Sequence, residues 1–163
     1  MELFLIRHAD ALPLGERGIT EDALRPLSEK GEHQAALVAR GMQRLGFSLD
    51  KIATSPFVRA KRTAELMLEH WTGPAPEVIE CEELTPDARP KRLARFLRRL
   101  GGERVGLVGH IPHITTFASW LIGSKKAQID MAKAGVAHIS CGADPRRGMG
   151  TLQWLVTPSW FRE

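Results

Sequence analysis

Hydrophobic and polar positions along this chain follow two periods. Short strand-like runs lie at 2–6, 49–54, 77–81 and 105–108, each bounded by polar or turn-forming residues, and apolar runs of this length read as strands. Between them the apolar positions recur every three or four residues. Ala35, Val38, Ala39, Met42 and Leu45 share one face of a helix that Ser28 would cap and Gly46 would stop. A second helix is expected over 57–70, behind Ser55-Pro56, because proline sits well in a first helical turn. Leu93, Phe96, Leu97 and Leu100 mark a third over 90–100, and a fourth is expected over 114–122, closed by Gly123. The runs 136–140 and 151–156 predict a closing hairpin. Strands alternating with helices predict an α/β fold: a three-layer sandwich with a mostly parallel central sheet, helices on both faces, and a C-terminal antiparallel hairpin.

Composition narrows the classes. A length of 163 residues suits a single domain over 1–163 with no large insertion or lid. Hydrophobic residues make up 43% and charged residues 26%, a soluble globular balance, and no apolar run reaches membrane-spanning length. The N-terminus lacks a basic stretch followed by a long apolar one. The expectation is a cytoplasmic protein with no membrane association. Cys81 and Cys141 are too few for a disulfide framework and lie in no CxxC motif, so both read as inert packing residues. A net charge of +4 favours acidic or phosphorylated partners. The basic segment from Arg89 to Arg99 reads as a solvated helix face, or next as a surface for an acidic protein. Its charged face carries no interleaved stacking aromatics, so no nucleic-acid partner is expected.

The candidate chemistry lies at strand ends. Three runs finish in polar groups: Arg7-His8, Ser55-Pro56 with Arg59 just beyond, and Gly109-His110. In a parallel sheet all three ends point to one edge, where such sheets bind ligands. Arginine forks match phosphate, and histidine serves as nucleophile or acid/base. Two arginines and two histidines around one point therefore make a cage for a doubly charged phosphoryl group. A metal-dependent phosphoesterase is the competing class, with His8-x-Asp10 and His110-x-x-His113 as ligands. Arginines beside those ligands would repel the cation, so no metal and no cofactor are expected. His113 is expected on the rim or the helix surface.

Arg7-His8, the run Ser55-Pro56-Phe57-Val58-Arg59-Ala60 with Thr63-Ala64, and Gly109-His110 together resemble the histidine phosphatase superfamily, also called phosphoglycerate-mutase-like or RHG. Within it, Arg25-Pro26-Leu27-Ser28, Glu83-Leu84-Thr85-Pro86 and Pro112 after His110 resemble the short SixA-type phosphohistidine phosphatases of bacteria. Ala9 replaces the glycine of the RHG signature, which implies ordinary backbone there or a small strain. The resemblance implies that His8 attacks phosphorus and forms a covalent phosphohistidine. Arg7 and Arg59 would bind the phosphoryl oxygens and lower the His8 pKa, and a protonated His110 would add a donor. Glu83 is the candidate general acid, with Glu82 beside it. Ser55 would donate to phosphate or serve the turn, and Arg25 would reach the pocket rim or stand as a surface charge. The implied substrate is phosphohistidine on a protein, a histidine-phosphotransfer domain among the options. A broad small-molecule phosphomonoesterase and a non-catalytic phospho-ligand binding module are the alternatives.

Overall fold

The structure, a computed structural model, describes residues 1–161. Its strands are β1 (Glu2–Arg7), β2 (Lys51–Thr54), β3 (Glu77–Glu80), β4 (Arg104–Gly109), β5 (Val136–Ser140) and β6 (Thr151–Val156). Its helices are α1 (Glu29–Arg44), α2 (Val58–Glu69), α3 (Pro90–Leu100) and α4 (His113–Leu121). All six strands form one sheet in the order β3-β2-β4-β1-β5-β6. The first four are mutually parallel, while β5 runs antiparallel to β1 and β6 antiparallel to β5. This is the expected mostly parallel α/β sandwich with its antiparallel C-terminal pair. Among the described residues no helix is long and apolar enough to cross a membrane.

The strand period of two explains why β1 is apolar throughout. Phe4 and Ile6 point to one face, where they pack with Ile52, Val108 and the inner sides of α1 and α2. Leu3 and Leu5 point to the other, against Val105, Leu107, α3 and α4. A central strand covered on both sides needs hydrophobic residues at every position. Each fully buried Leu or Ile contributes roughly 1.5–3 kcal/mol.

Local chemistry sets the helix ends. Ser28 Oγ accepts the Gly31 N–H at 3.1 Å, the expected N-cap of α1. Gly31 itself is required by packing: a Cβ there would lie 1.9 Å from the carbonyl oxygen of Asp10, so only glycine lets the loop after β1 cross the start of α1. The second helix begins at Val58 rather than at 57, because Phe57 has extended backbone (φ −65°, ψ 136°). The fourth begins one residue earlier than expected, at His113.

Candidate active site

Strands β1, β4 and β2 are parallel neighbours, so Arg7-His8, His110 and Ser55 leave the sheet at the same edge. The ladder continues past the strands: the His8 N–H donates to Gly109 O at 3.0 Å and the Ser55 N–H to Val108 O at 2.9 Å. Arg59 enters from the first turn of α2. The rings of His8 and His110 are 5.0 Å apart, and Arg59 Nε donates to His8 Nε2 at 3.2 Å. His8, Arg59 and His110 thus meet at this edge, and Arg7 lies near enough for its charge to act on His8.

The protonation of His8 follows from its contacts. Its Nδ1 lies 2.7 Å from the Ala9 carbonyl oxygen, which only accepts, so the hydrogen sits on Nδ1 and the Nε2 lone pair faces Arg59. Burial lowers its pKa to about 4 against the opposing Ala9 contact, and Arg59, Arg7 and Lys133 act in the same direction as burial. The sequence expectation credited the arginines, but burial is the larger cause. His110 corrects a second expectation. Burial first, then His8 and Arg59, hold its pKa at about 3, so the ring is neutral and not protonated.

Ser55 Oγ lies 2.8 Å from His110 Nε2 and accepts the Phe57 N–H at 3.3 Å, so its hydroxyl serves both the turn into α2 and the histidine. Arg7 Nη1 donates to Met131 O at 2.7 Å, and its buried Nε has no partner among the described residues. Arg25 is partly buried and shares Asp22 with Arg59, so it stands beside the site as a paired charge. Its Nε donates to Leu12 O at 2.6 Å and its Nη1 to Asp22 Oδ1 at 2.9 Å. Glu83 stands on the 3₁₀ turn Glu82–Leu84 after β3, where its carboxylate meets Cys81 Sγ at 3.5 Å. That turn packs on the end of β4: a Cβ on Gly109 would lie 3.4 Å from Leu84 O and 2.7 Å from Ile114 Cγ2. Among the described residues Glu83 makes no hydrogen bond to His8, Arg59 or His110.

His113 is the clearest correction. It is buried, with neither ring nitrogen partnered among the described residues, not at the rim or the helix surface. The reason is helical spacing, since 113, 117 and 121 fall on the face of α4 that packs on the sheet. Burial pushes the Cys81 thiol up to about 12, which agrees with an inert packing role.

Sequence reasoning missed several residues. Thr63 Oγ1 accepts the Ala9 N–H at 3.1 Å and donates to Arg59 O at 2.7 Å, joining the loop after β1 to α2. Ala9 itself lies outside the left-handed region, as expected; Arg17 and Ala134 are the non-glycine residues found there. Asp10 accepts from Ser28 Oγ at 2.5 Å and pairs with Lys133, whose charge reaches His8. Asp22 takes both Nη groups of Arg59. The motif runs contain only one partner of each of these two ion pairs or neither, so no local spacing announced them. Among the described residues no three His, Cys, Asp or Glu side chains gather into a metal-ligating cluster.

A buried cluster at the strand ends that holds a neutral histidine against an arginine fork suits phosphoryl chemistry at that histidine. The chain belongs to the histidine phosphatase superfamily, branch 1, whose family model matches residues 3–85, and the membership supports a phosphatase. It is 33% identical over 167 aligned residues to an uncharacterized protein of Picosynechococcus, covering 99% of each chain. It is 24% identical to the phosphohistidine phosphatase SixA of Escherichia coli K12, over 97% of this chain and 94% of that one. The solved structure of the protein histidine phosphatase SixA with tungstate superposes with a TM-score of 0.85 at 23% identity, covering 99% of this chain and all of the other.

Proposed function

We propose that the protein hydrolyses phosphohistidine on a cytoplasmic protein through a covalent intermediate on His8. The observation that carries this reading is the state of His8. It is neutral, its hydrogen is pinned on Nδ1 by the Ala9 carbonyl, and its Nε2 lone pair lies 3.2 Å from a guanidinium donor. With a pKa of about 4, only about one ring in a thousand is protonated at pH 7.

In the first step the Nε2 lone pair attacks phosphorus, an Nε2–P bond forms and the substrate's P–N bond breaks. The departing imidazole nitrogen takes a proton, with Glu83 as the proposed donor. In the second step water attacks phosphorus and gives a proton to the Glu83 carboxylate left by the first step, the Nε2–P bond breaks and inorganic phosphate leaves. Arg59, Arg7 and His110 stabilise the charge on the transferring group, which is most of what phosphoryl transfer asks of a protein. A neutral His110 still carries one N–H. If Ser55 donates to Nε2, that hydrogen sits on Nδ1, the ring nitrogen without a protein partner. No cofactor enters either step. The chain acts as one histidine-phosphatase domain without a large insertion over the site, leaving room for a protruding phosphorylated side chain.

The relationship to SixA supports the substrate class. The experiment is to incubate the protein with a radiolabelled phosphohistidine protein and quench in alkali. Acid-labile, alkali-stable label on the wild type and none on His8→Ala is the expected result. Label of equal amount on the variant refutes the covalent role of His8.

A further inference from the structure

Arg59 has five N–H donors in a rigid fork and is buried. Its Nε faces His8 Nε2, and both Nη groups point the other way, to one residue. Nη1 donates to the backbone carbonyl of Asp22 at 2.5 Å and Nη2 to Asp22 Oδ2 at 2.9 Å. The other carboxylate oxygen, Oδ1, accepts from Arg25 Nη1 at 2.9 Å. A flat guanidinium gripped at its far end by two acceptors cannot rotate about its stem, so the Nε edge stays turned to His8. Phe57, whose ring centre is 5.0 Å from the Arg59 Cζ, covers one face of the fork.

Resting on the phosphatase reading above, we propose that Asp22 is a positioning residue for the reaction: it holds the Arg59 fork edge-on to the attacking nitrogen of His8. It touches neither the nucleophile nor the phosphoryl group and acts through Arg59. Two other roles for the carboxylate fit less well. Contacts from Arg25 and Arg59 keep Asp22 ionised despite the opposing effect of burial, so it has no proton to give a leaving group. Nor does it fill the place of the phosphoryl group, because Asp22 takes Nη1 and Nη2 while the donor next to His8 is Nε. Asp22 lies on the short 3₁₀ turn Asp22–Leu24 with its side chain partly exposed, so the fold has little need of it and function has more.

The test is a double-mutant cycle on kcat, run with para-nitrophenyl phosphate and with a phosphohistidine protein, with urea unfolding to verify each fold. Asp22→Ala should lower kcat roughly 10–100-fold, the scale of a misplaced catalytic group, and change KM less. Asp22→Asn keeps the backbone acceptor and one side-chain oxygen and should fall between. In an Arg59→Ala background, Asp22→Ala should cost no more than about a further factor of two, because the two act as a unit. A readout independent of turnover is the His8 pKa by NMR. Freeing Arg59 takes a cation away from the ring, so Asp22→Ala should raise that pKa. A carboxylate acting only by its own charge would lower it on removal. Equal losses in both backgrounds, a lowered His8 pKa, or tighter phosphate binding at unchanged kcat would each overturn the role. A wild type inactive on both substrates instead removes the phosphatase reading, and this role with it.

Discussion

Replacing Arg59 by alanine tests the charge arrangement around His8 most directly. Arg59 supplies the charged donor at 3.2 Å from the attacking nitrogen and is only 4% exposed, so its field is poorly screened by water. Removing one preorganised donor from such a site lowers kcat by roughly 10²–10³, or about 2.7–4 kcal/mol. The loss belongs to the transition state and not to His8 ionisation. Burial is the leading cause of the low His8 pKa, so the ring stays neutral at pH 7 without Arg59. Nor should the fold fail, since Asp22 retains Arg25 at 2.9 Å and is not stranded. Arg59→Lys keeps the charge but loses the fork, and should recover only part of the rate. The assay is kcat and KM on a phosphohistidine protein and an aryl phosphate, with urea midpoints beside them. A folded Arg59→Ala enzyme with kcat within about threefold of wild type would refute the reasoning, because the donor would then contribute under 1 kcal/mol.

Three further outcomes are expected. His8 and His110 have pKa values lowered to about 4 and about 3 by burial. Between their ordinary value near 6.5 and those values the unfolded chain binds protons that the folded one does not, so stability should fall as pH drops through that window. Over the same window kcat/KM on an aryl phosphate, corrected for the substrate's own titration, should stay level to about pH 5 and fall below about pH 4. A loss of activity centred near pH 6.5 would contradict the buried neutral His8. Glu83→Gln should slow an alkyl phosphate far more than phosphohistidine, since protonated imidazole, with a pKa of about 6.5, leaves far more readily than an alkoxide. Equal slowing of both substrates, or a wild type that prefers the alkyl phosphate, would refute this account of specificity.

What could be read from the chain was local in sequence. The continuous apolar run of β1, the Ser28 cap and the α1 face each depend on residues within a few positions of one another, and all three appear as expected. Strand ends are equally legible, because the sheet's parallel order follows from its strand–helix alternation and sends every C-terminal end to one edge. That is why the sequence places Arg7, His8 and His110 at one edge of the sheet, with Arg59 just beyond. The boundary errors are of one kind. Phe57 lies next to a helix without sharing its backbone angles, and His113 shares them one residue early; both depend on the precise turn after a strand end.

The polar partners of the site were hidden for a different reason. Asp22 is 37 residues from Arg59, and Lys133 is 123 from Asp10. Each sits on a loop with no hydrophobic period to fix its place. An acid in a polar loop reads as solvated until a fold brings a buried cation against it. Burial itself is equally hard to foresee, since the neighbours that exclude water from His8 and His110 come from strands and helices far apart in the chain. A sequence displays which charges exist, and from them the His8 pKa was expected to fall through Arg7 and Arg59. The larger cause was desolvation, which no list of charges contains. The same omission made a protonated His110 seem natural, although a cage with Arg59 and a second histidine beside it, once dry, disfavours another positive charge. Packing therefore decides which of these groups are charged, and the low pKa of the nucleophile is a property of the folded core as much as of the residues named in its motif.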